Sequence, residues 1–255
     1  LNLTNAELQS ITASVLTIGD GTAGAITISS DVTPGASSGS GVATVSLITG
    51  NAITGTAGGI IETNLALTAS GTINVTDANT DVDFLAISAA GQTVTFTDAD
   101  AIDIKTTAGV AGLSATTLNL NTAGAVTDTN ALAVTGVATI AAGSGNDITL
   151  DVGTNNFGTV AITSGSNVSL VDANALILGA STVSGTLGVT TASGVTVSAN
   201  VTSAGVTTID ADSDNNGSGD FTVASSQTLS ITNSALSITA NDMDLSGSLT
   251  SGSAA

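Results

Sequence analysis

The segment DADSDNNGSGD (210–220) carries the most specific arrangement of metal-ligating side chains in this sequence. Counted from Asp212, oxygen-bearing side chains occupy loop positions 1, 3, 5 and 9, and a glycine occupies position 6; these residues are Asp212, Asp214, Asn216, Asp220 and Gly217. This spacing turns alternate oxygen ligands toward one centre, and the glycine permits the sharp bend that a calcium loop requires. The pattern predicts a Ca²⁺ site at this loop.

The same loop departs from the calcium pattern in two respects. Position 12, where a bidentate acid is expected, is Val223, and no helical pattern flanks the loop. Asp210 could supply the missing oxygens from the other side, which makes it the fifth candidate ligand. The alternative interpretation is a solvated acidic insertion on a highly acidic protein, and the sequence leaves both open.

Two further acidic patterns are interpreted as turns. The segment GSGND (143–147) is similar to one unit of a glycine-rich calcium repeat, but that mechanism shares each ion between tandem copies, and here there is one copy. Asp98, Asp128 and Asp172 recur before an Asn or Asp, an Ala and an aliphatic residue. A ladder of carboxylates would repel itself, so we expect each of these residues to form an Asx turn before a strand.

The composition excludes several classes of function. The chain of 255 residues has no His and no Cys, and Lys105 is its one basic residue against 20 acidic ones, for a formal charge of -19. There is therefore no imidazole base, thiolate nucleophile or ordinary zinc site, and no basic surface for a nucleic-acid backbone. We expect no enzymatic activity, because the positive group that sugar lyases use is also missing.

Membrane insertion is not expected either. No apolar run approaches the roughly 18 to 20 residues that span a bilayer. The segment begins without a Met or a signal-like stretch, so we expect a piece of a longer or polymerising assembly.

A short apolar-x-apolar step dominates the sequence and predicts many short strands. Examples are Leu16 and Ile18, Ile73 and Val75, Ile148 and Leu150, and Leu229 and Ile231. Alternation with period two is typical of strands, and the Gly, Ser, Asn, Asp and Thr residues between the runs are typical of turns. No stretch combines a helical period with caps, and we expect neither end to carry a capping helix.

Two all-β architectures fit this pattern. Immunoglobulin-like sandwiches usually have longer strands and a buried Trp and corner Tyr, and this chain has neither residue. A parallel β-solenoid (β-helix) needs only short strands around a stack of aliphatic side chains, at roughly 20 to 25 residues per coil and about ten to twelve coils for this length. We predict one solenoid segment over 1–255, with loop insertions near 34–41 and 210–220.

Several segments resemble the repeat regions of large secreted bacterial filamentous haemagglutinin-like proteins: LTIGDGTAGAITI (16–28), AGSGNDITLDVGTNNFG (142–158), ITSGSNVSLVDANALILG (162–179) and STVSGTLGVTTASG (181–194). The resemblance covers most of the chain. It implies a right-handed parallel β-helix that is secreted or displayed at the cell surface and forms an extracellular shaft for adhesion, cell-to-cell contact or biofilm.

Two functions of different kinds follow as hypotheses. The first is a structural shaft or filament subunit whose coils stack axially on further coils, from the same chain or from identical copies. The second is a calcium-dependent module that binds carbohydrate or a receptor on a host or neighbouring cell surface. The structural hypothesis is favoured because recognition surfaces usually expose aromatic side chains, which form 2% of this chain.

Overall fold

The computed structural model describes residues 3–34 and 42–252, and this part of the chain is all-β with 2% helix. Its parallel strands stack as a β-solenoid of about ten turns, which confirms the predicted fold class. The hand of the coil stays a prediction. The insertion predicted at 34–41 lies outside the described residues apart from Pro34.

The elements are short and follow one another closely along the chain. The first part contains α1 Asn5–Gln9, β1 Leu16–Asp20, β2 Ile26–Thr27, β3 Thr44–Thr49, β4 Ile53–Gly55, β5 Asn64–Ala69, β6 Ile73–Val75, β7 Phe84–Asp98, β8 Ile102–Ile104, β9 Leu113–Thr122, β10 Val126–Asp128, β11 Leu132–Ala141 and β12 Ile148–Leu150. The second part contains β13 Asn156–Ser164, β14 Val168–Asp172, β15 Leu176–Leu178, β16 Ser181–Val183, β17 Leu187–Thr191, β18 Val195–Val197, β19 Val201–Ser203, β20 Thr207–Asp210, β21 Phe221–Val223, β22 Thr228–Thr232, β23 Leu236–Thr239, β24 Met243–Leu245 and β25 Ser248–Gly252.

The chain divides into two compact units. One comprises 1–124 with 128–131, and the other comprises 125–127 with 132–255. Each unit is a stack of parallel coils, and the prediction of one continuous segment over 1–255 stays a prediction.

In the first unit, strands one coil apart pair in parallel at a step close to 20 residues. Val45 pairs with Leu65, and Leu65 pairs with Leu85, along the track β3, β5, β7. A second track takes Ile53 to Ile73 and Ile73 to Val94. Residues about 20 positions apart therefore lie on the same face of the solenoid, one coil from each other.

In the second unit, the coils from β14 onward each contain three described strands. The track β14, β17, β20, β23 pairs Val168 with Leu187, Leu187 with Thr207, and Thr207 with Leu236. The first two steps are 19 and 20 residues, whereas the last is 29. The longer step contains the connection 211–220 between β20 and β21, which is the segment singled out in the sequence.

The core is a stack of aliphatic side chains, as the apolar-x-apolar pattern predicts. Ile53, Ile73, Val94 and Leu118 follow one another in register, and each is at most 1% exposed. Because successive strand residues point to opposite faces, one apolar residue in every two is sufficient to fill a narrow interior. The bulkiest fully buried side chains are Phe96, Phe157 and Phe221.

Small polar side chains at the corners link one coil to the next. The Thr49 hydroxyl donates to the carbonyl oxygens of Ala23 (2.9 Å) and Gly24 (2.8 Å). The Thr191 hydroxyl donates to the Gly194 (3.2 Å) and Ala211 (3.4 Å) carbonyl oxygens. Both threonines are 1% exposed, so these hydrogen bonds satisfy corner carbonyl groups that are shielded from water.

The expectation that no stretch combines a helical pattern with caps is wrong for α1. Thr4 and Glu7 form a capping box, and Leu8 on the helix is 5% exposed. Asn5 and Gln9 bond to Thr33, with Asn5 accepting from its backbone N–H at 2.8 Å and the Gln9 amide donating to its hydroxyl at 2.7 Å. Five residues are too few for a helical period to be visible in the sequence. Among the described residues, no helix combines the length and apolar character needed to cross a bilayer.

Candidate functional site

The acidic loop 211–220 is held firmly where it leaves the solenoid. The Ala211 N–H donates to the Thr239 carbonyl oxygen (2.8 Å), and the Ser213 N–H donates to the Thr191 carbonyl oxygen (3.0 Å). These two bonds tie the start of the loop to the coil after it and the coil before it. The loop is therefore an enlarged corner of the solenoid.

Asp212 lies at the base of this loop and is 8% exposed. Its Oδ2 accepts from the Gly217 N–H (3.2 Å), and its carbonyl oxygen accepts from the Asn215 N–H (3.0 Å). Asn215 and Gly217 have φ of 53° and 79°, a left-handed conformation that Asn and Gly tolerate best. Asp212 Oδ1 is buried without a hydrogen-bond partner in the described part of the chain.

The other predicted ligands face in different directions. Asp214 accepts from Asn216 through both the backbone N–H (3.3 Å) and the side-chain amide (2.7 Å), and the Ser218 hydroxyl donates to Asn216 Oδ1. Asp220 Oδ1 instead accepts from the Asn241 amide of the following coil (3.1 Å).

Asp210 lies close to Asp212, because Asp210 Oδ1 accepts from the Asp212 N–H at 3.4 Å. Over residues 3–34 and 42–252, no three acidic side chains converge as a ready-made metal cluster. The structure thus bonds the Asp210 carboxylate to the main chain of Asp212, pairs Asp214 with Asn216, and pairs Asp220 with Asn241. The calcium site stays a prediction.

The recurrent acids Asp98 and Asp172 form the expected Asx turns and also bond to the preceding coil. Asp98 accepts from the N–H of Asp100 (3.2 Å) and of Val82 (2.9 Å). In register, Asp98 lies beside Thr122, so its neighbour in the next coil is a hydroxyl and not another acid. Burial raises the pKa of Asp98 to about 7; the two N–H donors oppose this change, and the charges of Asp100 and Asp81 add to it.

Asp172 repeats the arrangement in the second unit. It accepts from the N–H of Asn174 (2.7 Å) and of Phe157 (2.6 Å), and its register partner is Thr191. Burial raises the pKa of Asp172 as well, against the effect of the two N–H donors. The bond to the preceding coil was not foreseen, because sequence spacing identifies the local turn but not the N–H group of another coil.

The segment GSGND forms the predicted corner turn. The Asn146 N–H donates to the Gly143 carbonyl oxygen (3.2 Å), and Gly143 has a φ of 85°. Asp147 Oδ1 accepts from both the backbone N–H (2.9 Å) and the side-chain amide (3.0 Å) of Asn167. The Asn167 backbone N–H is the main reason that the pKa of Asp147 lies below its ordinary value.

A second acidic region, which the sequence did not single out, surrounds a cavity of about 380 Å³ in the first unit. Glu62, Asp81 and Asp83 line it together with Val42 and Ile61. Burial and the charges of Asp100 and Asp83 raise the pKa of Asp81. The parallel bridge between Ile61 and Asp81 places the segments IETN and DVDF of consecutive coils side by side. This register brings the three acidic residues to one cavity, and it is visible only in the folded chain.

Lys105, the one basic side chain of the sequence, is used in a contact with an aromatic ring. Its Nζ lies 3.2 Å from the centroid of the Phe84 ring, a cation–π contact. The positive charge is therefore placed over an aromatic ring.

The stacked coils, the aliphatic core and the hydrogen-bonded corners define a repeat protein of the parallel β-solenoid class. The chain belongs to the family of repeats of unknown function designated DUF5649, whose model matches residues 91–164 and 165–228, more than half of the sequence. The second match begins just before β14 and covers the strands up to β21. Comparison with curated proteins and with solved structures gives no match.

Proposed function

We propose that this chain is a structural shaft segment of an extracellular filament that supports adhesion, cell contact or biofilm. In this proposal its task is rigidity and reach, and its partners along the axis are further coils, from the same chain or from identical copies. The proposal includes no catalytic activity, no nucleic-acid partner and no membrane span. Its extracellular location rests on the sequence resemblance to filamentous haemagglutinin-like repeats.

The repeating coil-to-coil contact is the observation that carries the proposal. Main-chain ladders join every described coil of the second unit to the next, as in the track β16, β19, β22, β25. Each coil contributes a layer of the aliphatic core and contacts mainly its neighbours. Stability then grows by addition of similar layers, which suits a protein whose role is mechanical.

The outward positions also support a shaft more than a recognition surface. Along the same track the outward residues are short and uncharged: Thr182, Thr202, Ser230 and Thr250. Binding hot spots are enriched in Trp, Tyr and Arg, and the sequence has none of these three residues.

Immunoelectron microscopy of cells that produce the protein tests the location and the assembly. Antibodies raised against the exposed segment 213–218 are expected to label extended structures outside the cell, at regular intervals if copies repeat. Labelling confined to the cell interior would contradict the proposal. Cells that do not produce the protein provide the control for antibody specificity.

The calcium-dependent binding module is the second candidate, and the exposed acidic loop 213–218 is the observation that favours it. The soluble chain can be applied to arrays of carbohydrates and to cell surfaces, with Ca²⁺ and with a chelator. Saturable binding that requires Ca²⁺ and is lost in Asp212→Asn would favour this candidate over the shaft. Equal, weak retention on all surfaces is expected for a shaft.

A further inference from the structure

We propose that the enlarged corner 210–220 binds one divalent cation, Ca²⁺ by its ligand chemistry, through the carboxylate of Asp212. The inference goes beyond the structural role and does not depend on the location of the protein. It rests on the buried carboxylate oxygen of Asp212 and on the types of donor that surround it.

Asp212 Oδ1 is the decisive atom. The side chain is 92% buried, and among the described residues no donor reaches this oxygen. The carboxylate faces the interior of the loop, because its other oxygen accepts from the Gly217 N–H across the turn. A buried polar group without a partner destabilises the fold, and a charged one does so more strongly, so such an oxygen is expected to have a partner.

The polypeptide offers no positive side chain as that partner. The sequence contains one basic residue, Lys105, and its ammonium group lies on the Phe84 ring. Asp210, Asp214 and Asp220 add further negative charge to the same eleven-residue segment. A water molecule could donate a hydrogen bond to Asp212 Oδ1 but would leave the negative charge of the carboxylate uncompensated. A cation would both coordinate this oxygen and compensate the charge.

The donor types select a hard cation. The loop presents carboxylate, amide, hydroxyl and carbonyl oxygens, which are ligands for Ca²⁺ and Mg²⁺ and not for softer metals. Ca²⁺ fits better because it accepts six to eight oxygens in irregular geometry, whereas Mg²⁺ demands a near-ideal octahedron.

The remaining ligands can reach the ion without disturbing the solenoid. Asp214, Asn216 and Ser218 are exposed and bond to one another, so turning them toward Asp212 breaks no contact with the core. Asp212 itself is fixed by its bonds to Asn215 and Gly217. The bound ion would join these exposed oxygens to the buried Asp212 carboxylate and so stiffen the largest corner of the second unit.

Isothermal titration calorimetry of the 255-residue chain with CaCl₂ tests the proposal. We expect one Ca²⁺ per chain with a Kd on the order of 0.1 to 1 mM, the weak end of the range for oxygen-ligand calcium sites, because only Asp212 is held in place before the ion binds. Asp212→Asn should weaken binding at least about tenfold. Asp244→Asn, at an exposed acid that accepts from Ser246 outside the loop, is the matched control and should bind as the unmodified chain does.

Thermal unfolding gives a second readout. Ca²⁺ should raise the Tm of the unmodified chain and of Asp244→Asn more than NaCl at matched ionic strength, because an ion that binds only the folded state stabilises it by mass action. Equal effects of the two salts, no saturable heat, or unchanged affinity in Asp212→Asn would each overturn the proposal. If Asp212→Asn fails to fold, Asp214→Asn at an exposed position replaces it, with a loss of several-fold expected and an unchanged affinity counting against the site.

Discussion

Asp98 and Asp172 show how a single acidic residue can join two coils. Each carboxylate accepts one N–H from its own turn and one N–H from the preceding coil, while the side chain is 2% exposed. Two such bonds satisfy buried donors at a corner, but burial of the carboxylate disfavours its charged form. At both residues the effect of burial outweighs that of the two N–H bonds, so their pKa values are raised. The stability of the protein therefore depends on pH.

The first prediction concerns this pH dependence. The pKa of Asp98 is about 7 in the folded chain, above the ordinary 3.8 of an Asp side chain, so the folded state binds more protons than the unfolded state between these values. Its stabilising contribution is therefore fully present below pH 3.8 and is lost as the pH rises through 7. Urea unfolding should give a free energy of unfolding on the order of 2 kcal/mol higher at pH 5 than at pH 8.

Two variants identify the responsible residue. Asp98→Asn should reduce the pH dependence between 5 and 8, and the remainder should come from Asp81 and Asp172, whose pKa values are also raised. Asp77→Asn, which changes a similar Asx turn to Asn79 at a less buried position, should retain the full dependence. Glu7, Asp20 and Asp147 have lowered pKa values and titrate below this window. An undiminished slope in Asp98→Asn would show that another group is responsible.

At the scale of the element, the corner 211–220 is closed by a tight approach of backbones. A Cβ added to Gly219 would overlap the Ala211 carbonyl oxygen and lie 2.7 Å from the Asp212 Cα. Because these are backbone atoms, relief requires the loop to shift. The absence of a side chain at Gly219 therefore permits this path of the backbone beside Ala211 and Asp212.

The second prediction tests this closure. Gly219→Ala should lower the free energy of unfolding by about 1 to 3 kcal/mol, the usual cost of overpacking. Gly153→Ala is the matched control, since a Cβ there meets nothing within 4 Å, and it should be neutral or stabilising by up to about 1 kcal/mol. Chemical denaturation of both variants makes the comparison, and equal effects would show that the approach is looser than described.

The third prediction concerns the aliphatic stack. Leu85 is 0% exposed and lies in register between Leu65 and Ile104 of the neighbouring coils. Leu85→Ala should cost about 2 to 5 kcal/mol, because the removed methyl groups leave a cavity between fixed layers. Val137→Ala, at a strand position that is 41% exposed, should change the free energy of unfolding by no more than about 0.5 kcal/mol. Similar losses in the two variants would contradict the assignment of inward and outward positions.

At the scale of the whole molecule, charge is distributed with almost no compensation. Twenty acidic side chains accompany one basic side chain, which gives a formal charge of -19. Such a charge keeps proteins soluble but opposes compaction through self-repulsion. The solenoid must therefore draw its stability from main-chain ladders and aliphatic layers.

The fourth prediction follows from this repulsion. Raising NaCl from 0.01 to 1 M shortens the Debye length from about 30 Å to about 3 Å, so the Tm should rise with salt. Differential scanning calorimetry in the presence of a chelator measures the effect without contribution from bound Ca²⁺. A Tm that is constant or falls over this range would show that the surface carboxylates are already too far apart to repel one another.

Much of the architecture was predictable from the sequence because it depends on local rules. Alternation as in Ile73 and Val75 identifies a strand with one buried face, and Gly, Asn and Asp between such runs identify turns. The absence of large aromatic residues beyond four phenylalanines indicated a thin, layered core, and Phe96, Phe157 and Phe221 are indeed buried in it. The Asx turns of Asp98 and Asp172 were also predictable, since they bond within two residues.

What depends on residues one coil away could be decided only by the tertiary structure. The N–H group that Asp98 accepts belongs to Val82, 16 residues away, and the one that Asp172 accepts belongs to Phe157, 15 residues away. Because insertions change the length of the coils, sequence spacing alone does not identify such pairs. The same limit applies to Glu62, Asp81 and Asp83, which line one cavity because their coils are stacked in register. Sequence spacing proposed five ligands in 210–220, but only the folded corner shows their partners, because Asp220 bonds to Asn241 of the following coil whereas Asp214 bonds to Asn216 within the loop.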